Sequence, residues 1–355
     1  MSTPEPVIAS EQTGTRKQTG RRAVSRALLG GVAALSVAPR PVSARAVAHR
    51  AVASGGAGAY EAFLAGVHSQ AVGMGLSSSL MTEALSLTQR PNAKVLELDR
   101  HQPEFTLTWA QYRAKVLSTG KIDAGKAAYA TNRSLIGQVS SRFSVEETPI
   151  MGIWGLESYY GKLTGHFNVI DALATLAFDG RRAAFFRSEL LKALKILNER
   201  GIPPSGMVGS YAGAMGQPQF MPSAYLSYAH SFDGAGPANI WTSVPDVLSS
   251  IANYLSRCGW LSGEPWGQAI QAPDTLQQAE IGREHKRSLA QWMAAGVRRQ
   301  DGGRFSHEDV IGAVVRPDGP GGEAFMVYHN FDVIRRYNPS DYYALGVGLM
   351  GLMTT

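Results

Sequence analysis

The chain has 355 residues, 44% hydrophobic and 17% charged, with a mean hydropathy of -0.11; these values fit a soluble globular protein and exclude a membrane-embedded or intrinsically disordered one. The formal net charge is +6 and the isoelectric point is near 9.4, but residues 1–46 hold seven basic and two acidic residues, so +5 belongs to this leader and about +1 to everything after it. A nucleic-acid partner would need a basic patch interleaved with aromatics in the folded part, and the charge distribution excludes one.

The leader has the parts of a cleavable export signal: polar Ser2 to Gly20, then Arg21-Arg22, an apolar run from Ala27 to Ala38, and small residues around Val42-Ser43-Ala44 and Ala44-Arg45-Ala46. The apolar run is too short to span a bilayer, so no stable membrane span is expected after signal removal. Paired arginines ahead of a weakly hydrophobic stretch point to the twin-arginine route and a periplasmic destination. Cys258 is the only cysteine, so no intrachain disulfide forms, and its place at the end of an apolar helical pattern reads as a small buried residue. The eight histidines show no metal-ligand spacing, so neither a metal nor another cofactor is expected.

Residues 47–58 read as an Ala/Gly linker, and 59–260 as a helical region. Phe63, Val67 and Val72, then Leu80 and Leu85, carry helical spacing. The segment Pro91 to Trp109 is less regular. Helices are predicted over Pro149–Tyr160, Asp171–Ala177 and Arg182–Asn198. In the last of these Phe185, Phe186, Leu190, Leu194 and Leu197 share a face, Gly201 caps the end and Pro203-Pro204 prevents continuation. Further helical spacing spans Ser223–Tyr228 and Val244–Tyr254. Residues 261–330 change character: Gln268–Ala272, Val310–Val315 and Glu323–Tyr328 read as short strands of a small mixed or antiparallel sheet, with a tight turn over Pro317–Gly322. Residues 331–355 return to helix from Asp341. The class is α+β, mainly α.

Chemistry centres on Ile150 to Gly161, an apolar helix holding one carboxylate, Glu157. Burying an ionised Glu there costs several kcal/mol unless it is paired or protonated. Such surroundings favour the protonated form and suit a general acid. Taken alone, a Glu on the exposed face of an amphipathic helix is the simpler reading.

Five ordered motifs change that balance: Gly152-Ile153-Trp154-Gly155-Leu156-Glu157-Ser158-Tyr159-Tyr160-Gly161; Asp171-Ala172-Leu173-Ala174-Thr175-Leu176-Ala177-Phe178 followed by Arg181-Arg182; Gly209-Ser210-Tyr211-Ala212-Gly213-Ala214-Met215-Gly216-Gln217-Pro218-Gln219-Phe220-Met221-Pro222-Ser223; Ala252-Asn253-Tyr254-Leu255; and Arg336-Tyr337-Asn338-Pro339-Ser340-Asp341-Tyr342-Tyr343-Ala344. From about Tyr60 to the C-terminus the chain resembles the lytic murein transglycosylases of the B type, glycoside hydrolase family 103. The resemblance implies a lysozyme-like helical catalytic core, preceded by an N-terminal helical region and carrying a small inserted β-sheet subdomain. It implies cleavage of the β-1,4 bond between N-acetylmuramic acid and N-acetylglucosamine in peptidoglycan, with 1,6-anhydromuramoyl products. The partners it implies are peptidoglycan glycan strands and cell-wall synthesis or remodelling proteins.

Carried over motif by motif, Glu157 falls on the family's catalytic acid/base. Tyr112 and Tyr254 fall on groove tyrosines, Arg181 and Arg182 on paired arginines that meet acidic groups of the substrate, Ser210 and Gln219 on polar residues near the acid, and Tyr337, Asn338 and Tyr343 on the closing motif at the cleft. Each also admits a structural reading: Ser210 as a turn cap, Gln219 bonding backbone, Tyr254 as core. In related enzymes the loop after the third motif resembles a calcium-binding EF-hand. Here Ser231 and Ala235 replace two acidic positions, leaving Asp233 and Asp246, so weak calcium binding or none is expected. No second carboxylate stands in the motifs beside Glu157; Asp171 and Asp179 are the nearest downstream. Glycosidases that use water generally need two carboxyl groups, so a single-carboxylate transfer is expected. A lysozyme-like hydrolase and a non-catalytic peptidoglycan-binding scaffold are the alternatives.

Overall fold

A computed structural model describes residues 56–100 and 107–355. The expected export signal, 1–46, lies outside the described residues. No described helix is long and apolar enough to cross a membrane. Helix α1 (Gly56–Gly73) takes in the last three residues of the predicted linker, and α2 (Ser78–Ser86), α3 (Ala93–Arg100) and α4 (Trp109–Val116) follow. Helix α3 lies in the segment that looked irregular; its buried face is only Val95 and Asp99, too little for a periodic signal. The 25-residue α5 (Thr119–Phe143) leads into α6 (Glu147–Ser158) through Ser144 in a left-handed conformation.

Next come β1 (Phe167–Asn168), α7 (Val169–Asp179), α8 (Ala183–Arg200), β2 (Val208–Gly209), α9 (Pro222–Tyr228) and α10 (Val244–Arg257). The start signals are legible side chains. Asn168 accepts from the amides of Ile170 and Asp171 to cap α7, Ser243 caps α10, and Gly201 ends α8 at φ +63°. Cys258 is buried at the C-cap of α10, as expected.

The remaining chain forms β3 (Gly267–Gln271), β4 (Arg287–Ser288), α11 (Leu289–Ala294), β5 (Arg298–Arg299), β6 (Ile311–Val315), β7 (Ala324–Val327), α12 (His329–Tyr337) and α13 (Asp341–Thr354). The sheet is antiparallel throughout, in the order β4-β6-β7-β3-β5. Ile270, Trp292, Phe305, Val314 and Met326 build a core of its own beneath it. The return to helix, expected from Asp341, begins earlier: α12 already starts at His329. Pro339 separates α12 from α13, because it disfavours helical backbone at Asn338 and cannot donate an amide bond.

Helices α6 and α13 make the most extensive helix pair in the molecule. They touch backbone to backbone. A Cβ on Gly152 would overlap the carbonyl oxygen of Val347, and one on Gly351 would overlap that of Thr148. Glycine is needed at these positions for close approach, at an intrinsic helix cost of about 1 kcal/mol each relative to alanine. Gly152→Ala is therefore expected to destabilise the fold by about 2–3 kcal/mol through overpacking. It should appear as a lower urea midpoint with an unchanged denaturant slope.

Candidate active site

Glu157 sits in the last turn of α6 and is 5% exposed. The chain then makes a tight left-handed corner: Tyr159 and Tyr160 adopt φ +53° and +57°, and Gly161 φ +86°. Two consecutive non-glycine residues in that region cost about 1–3 kcal/mol each, so the surroundings must hold them there. The Tyr159 hydroxyl donates to the Gly120 carbonyl at 2.9 Å, and the Gly161 amide donates to the Ser158 hydroxyl at 3.1 Å. The Tyr160 ring fills the notch left by Gly125 and Gly155, whose added Cβ atoms would collide with it.

Opposite the corner lies the loop 209–221. It folds back on itself through paired bonds between Met215 and Phe220, and the Ser210 hydroxyl accepts the Ala214 amide at 3.1 Å. Gln217 is buried and works as a strut. Its Oε1 accepts the Trp154 indole N–H at 2.8 Å, one turn before Glu157, and its Nε2 donates to the Trp241 carbonyl at 3.0 Å. Gly161 packs on it so closely that a Cβ would stand 2.6 Å from Oε1. Gln219 is held at φ +50°, with its Nε2 donating to the carbonyls of Gly216 at 2.7 Å and Thr164 at 3.1 Å. Its Oε1 is buried without a hydrogen-bond partner. An orphan acceptor of this kind costs about 1–3 kcal/mol and marks a place where a donor can be received.

The third wall is aromatic. The Tyr343 hydroxyl donates to Glu157 Oε1 at 2.6 Å, and the Tyr337 hydroxyl donates to the Pro218 carbonyl at 2.6 Å. Their rings stack with centroids 6.4 Å apart, and Tyr254 lies 4.6 Å from Tyr337 while donating to the Arg336 carbonyl. Burial, and then the Glu157 carboxylate, push the phenols of Tyr343 and Tyr337 well above their ordinary value. Tyr343 therefore remains a donor to Glu157 at any physiological pH. Tyr112 lies near enough to act electrostatically on Tyr343.

Thus Glu157, Gln219, Tyr337 and Tyr343 gather in one place, with Tyr254 and Ser210 supporting them. Asn338 accepts the Ser340 amide at the corner between α12 and α13. Arg181 donates to the Asp99 carboxylate and, at 2.8 Å, to the Asp99 carbonyl, with its side chain 60% exposed. Arg182 lies over the rings of Phe185 and Phe186 at 4.5 and 5.1 Å. The contacts of both arginines are with α3 and α8 rather than with the Glu157 cluster. Sequence reading missed Gln217. Its signal was the indole N–H of Trp154, buried in an apolar helix and in need of an acceptor.

Of the carboxylates nearest Glu157 in sequence, upstream Glu146 accepts from the Trp260 indole and Glu147 from the Tyr129 hydroxyl, and downstream Asp171 accepts from Asn92 at 2.7 Å and Asp179 pairs with Arg100 at 2.7 Å. Around the loop 231–241 the two carboxylates Asp233 and Asp246 bond to the loop itself. Asp246 accepts the amides of Phe232 and Asn239, and Asp233 accepts from Ser231 and Ala235, bonds that hold its carboxyl below the usual range. Among the described residues no three His, Cys, Asp or Glu side chains gather as a metal site.

The profile described as "Transglycosylase SLT domain" matches residues 59–352. Membrane-bound lytic murein transglycosylase B of Escherichia coli (strain K12) is 31% identical over 287 residues, covering 78% of each chain. SltB3 from Pseudomonas aeruginosa, solved in complex with NAG-anhNAM-pentapeptide, superposes with a TM-score of 0.79 at 39% identity over 82% of this chain and 78% of its own. The Escherichia coli lytic transglycosylase Slt35, solved in complex with calcium, gives 0.70 at 30% identity over 83% and 92%.

The tyrosine wall makes a pH test. Burial pushes Tyr160 up to about 12 and raises Tyr254, Tyr337 and Tyr343 as well. An unfolded chain ionises these phenols near pH 10, so their contribution to stability is full below about pH 10 and is lost as pH climbs beyond it. In an alkaline titration followed by tyrosinate absorbance, these four are expected to ionise together with cooperative unfolding. Smooth ionisation of all thirteen tyrosines around pH 10 with the fold retained would contradict the site geometry.

Proposed function

We infer the function from one premise: the chain belongs to the transglycosylase SLT domain family. It is a lytic transglycosylase that acts on the glycan strands of peptidoglycan. For the residues that carry the reaction we propose Glu157 as the single acid/base, and the observation that carries this is its buried carboxyl with Oε1 engaged by the Tyr343 hydroxyl. At the start of the reaction Glu157 carries the acidic proton. Glu157 gives that proton to the oxygen of the β-1,4 bond between N-acetylmuramic acid and N-acetylglucosamine, and the C1–O bond breaks. The substrate's own N-acetyl group steadies the cationic sugar. Glu157, now a carboxylate, removes the proton of the muramoyl C6 hydroxyl, whose oxygen bonds to C1 and closes the 1,6-anhydro ring. The proton returns to Glu157 and no water is consumed.

Burial favours the neutral carboxyl for the first half, and the Tyr343 hydroxyl favours the carboxylate for the second. Gln219 Oε1 is suited to a substrate N–H or hydroxyl, and Tyr112 to the face of a sugar ring. Tyr254, Tyr337, Asn338 and Ser210 shape the wall. Arg181, with its exposed guanidinium, meets acidic groups of the substrate, and Arg182 stands beside it. A hydrolase would need a second carboxylate, whereas Asp171 and Asp179 are committed to Asn92 and Arg100. A non-catalytic scaffold would have no use for a buried acid with a dedicated donor. The leader's composition supports export to the periplasm, where remodelling proteins would be the further partners.

Purified sacculi digested by the wild-type protein in heavy-oxygen water are expected to release anhydromuropeptides without isotope uptake. Glu157→Gln should lower that release by at least about a thousandfold, the order expected for losing an acid/base. Retained activity in Glu157→Gln, or heavy oxygen at a reducing end, would each overturn the reading.

A further inference from the structure

Helix α4 carries Tyr112 but is only eight residues long, and isolated helices of that length do not hold themselves together in water. Its own capping box uses Thr108 and Gln111, leaving the amides of Trp109 and Ala110 to be satisfied elsewhere. They are taken from far away in the chain. In the turn between β6 and β7, the Asp318 carboxylate accepts the Trp109 amide on Oδ1 at 2.6 Å and the Ala110 amide on Oδ2 at 3.0 Å. Glu323, at the other end of the turn, accepts the Trp109 indole N–H at 2.7 Å and pairs with Arg113 at 3.2 Å. Beside these bonds a cavity of about 590 Å³ separates α4 from the turn, lined by Ala110, Arg113, Leu117, Gly322 and Met353 among others. Across the cavity the link is carried by these carboxylates, and beside it by the Trp109 ring, which meets Phe325 of β7 edge-on at 6.0 Å.

What the link holds is one wall of the groove. Tyr112 stacks on Trp109 with centroids 6.1 Å apart and tilts against Tyr342 at 5.7 Å. It packs on α13 at Gly346, where an added Cβ would be 3.5 Å from its ring and 3.1 Å from Leu156, the neighbour of Glu157. A shift of the α4 N-terminus moves Trp109, and with it Tyr112.

We propose that Asp318, backed by Glu323, is a positioning residue for substrate: from the β6–β7 turn it fixes α4 and so sets Tyr112 in the groove. The small sheet then acts as a buttress of the glycan groove and not as a separate module. The proposal rests on the reading of Tyr112 as a groove residue. Asp318 does not touch Glu157, so its loss acts on binding of the sugar chain and not on bond cleavage.

The test is a double-mutant cycle on soluble glycan fragments of defined length, with kcat and KM measured separately. Asp318→Asn loses a charge and turns one acceptor into a donor facing backbone N–H groups. KM is expected to rise about fivefold, the equivalent of roughly one charge-assisted bond, with kcat within about twofold. Tyr112→Ala alone should raise KM by at least as much. In the Tyr112→Ala background Asp318→Asn should add less than about twofold, because residues that share one chain of contacts through Trp109 are not additive. Glu323→Ala, tested in the same cycle, should repeat the pattern and serves where Asp318→Asn folds poorly. An unchanged KM with a lower melting temperature, or the full rise persisting without Tyr112, overturns the positioning role while leaving Tyr112 in the groove. An unchanged KM in Tyr112→Ala overturns the groove reading, and this proposal with it.

Discussion

The site depends on two helix backbones being in contact. Glycines at 152 and 351 let α6 and α13 approach until carbonyl oxygens fill the space where methyl groups would stand. That approach brings a carboxyl on one helix within 2.6 Å of a phenol on the other, 186 residues apart in sequence. Side chains between the helices would have held them several ångströms further apart, beyond hydrogen-bond reach. A buried acid needs a partner that does not neutralise it. Tyrosine meets that need because burial keeps its proton in place.

The helices around Glu157 were legible because periodicity, N-caps such as Asn168 and the stop at Gly201 are local signals. So were the three longer strands, with alternation and turn residues in plain view. What escaped was long-range. Two-residue strands such as Phe167–Asn168 pair with Val208–Gly209 across 40 positions and have no pattern of their own. Asp318 looks like an ordinary turn aspartate in Pro317–Gly322, and only the folded chain shows its two oxygens on the first amides of α4. Ser210, Gln219 and Tyr254 display the backbone and packing bonds that their residue types allow. In Gln219 this leaves a second polar atom over, so a structural bond and a substrate contact need not compete for one side chain.

The polar groups around the reacting centre are mostly used once and then closed off. Gln217 spends both ends of its amide on Trp154 and Trp241, and Tyr337 and Tyr254 spend their hydroxyls on carbonyls. Fully paired buried groups rigidify what they hold, and here they hold the surroundings of the Glu157 carboxyl in one arrangement.

The left-handed corner at Tyr159 and Tyr160 carries a further implication for variants of this enzyme. Glycine or asparagine would sit more comfortably at those torsions, relieving about 1–3 kcal/mol of strain at each. Both rings are in use, however: one reaches the Gly120 carbonyl and the other fills the notch between α5 and α6. Relaxing the backbone there would free the end of the helix that aims Glu157. Losing the buried Tyr160 ring would cost about 3–5 kcal/mol, more than the relieved strain returns, so heat resistance and the aim of Glu157 depend on the same strained corner.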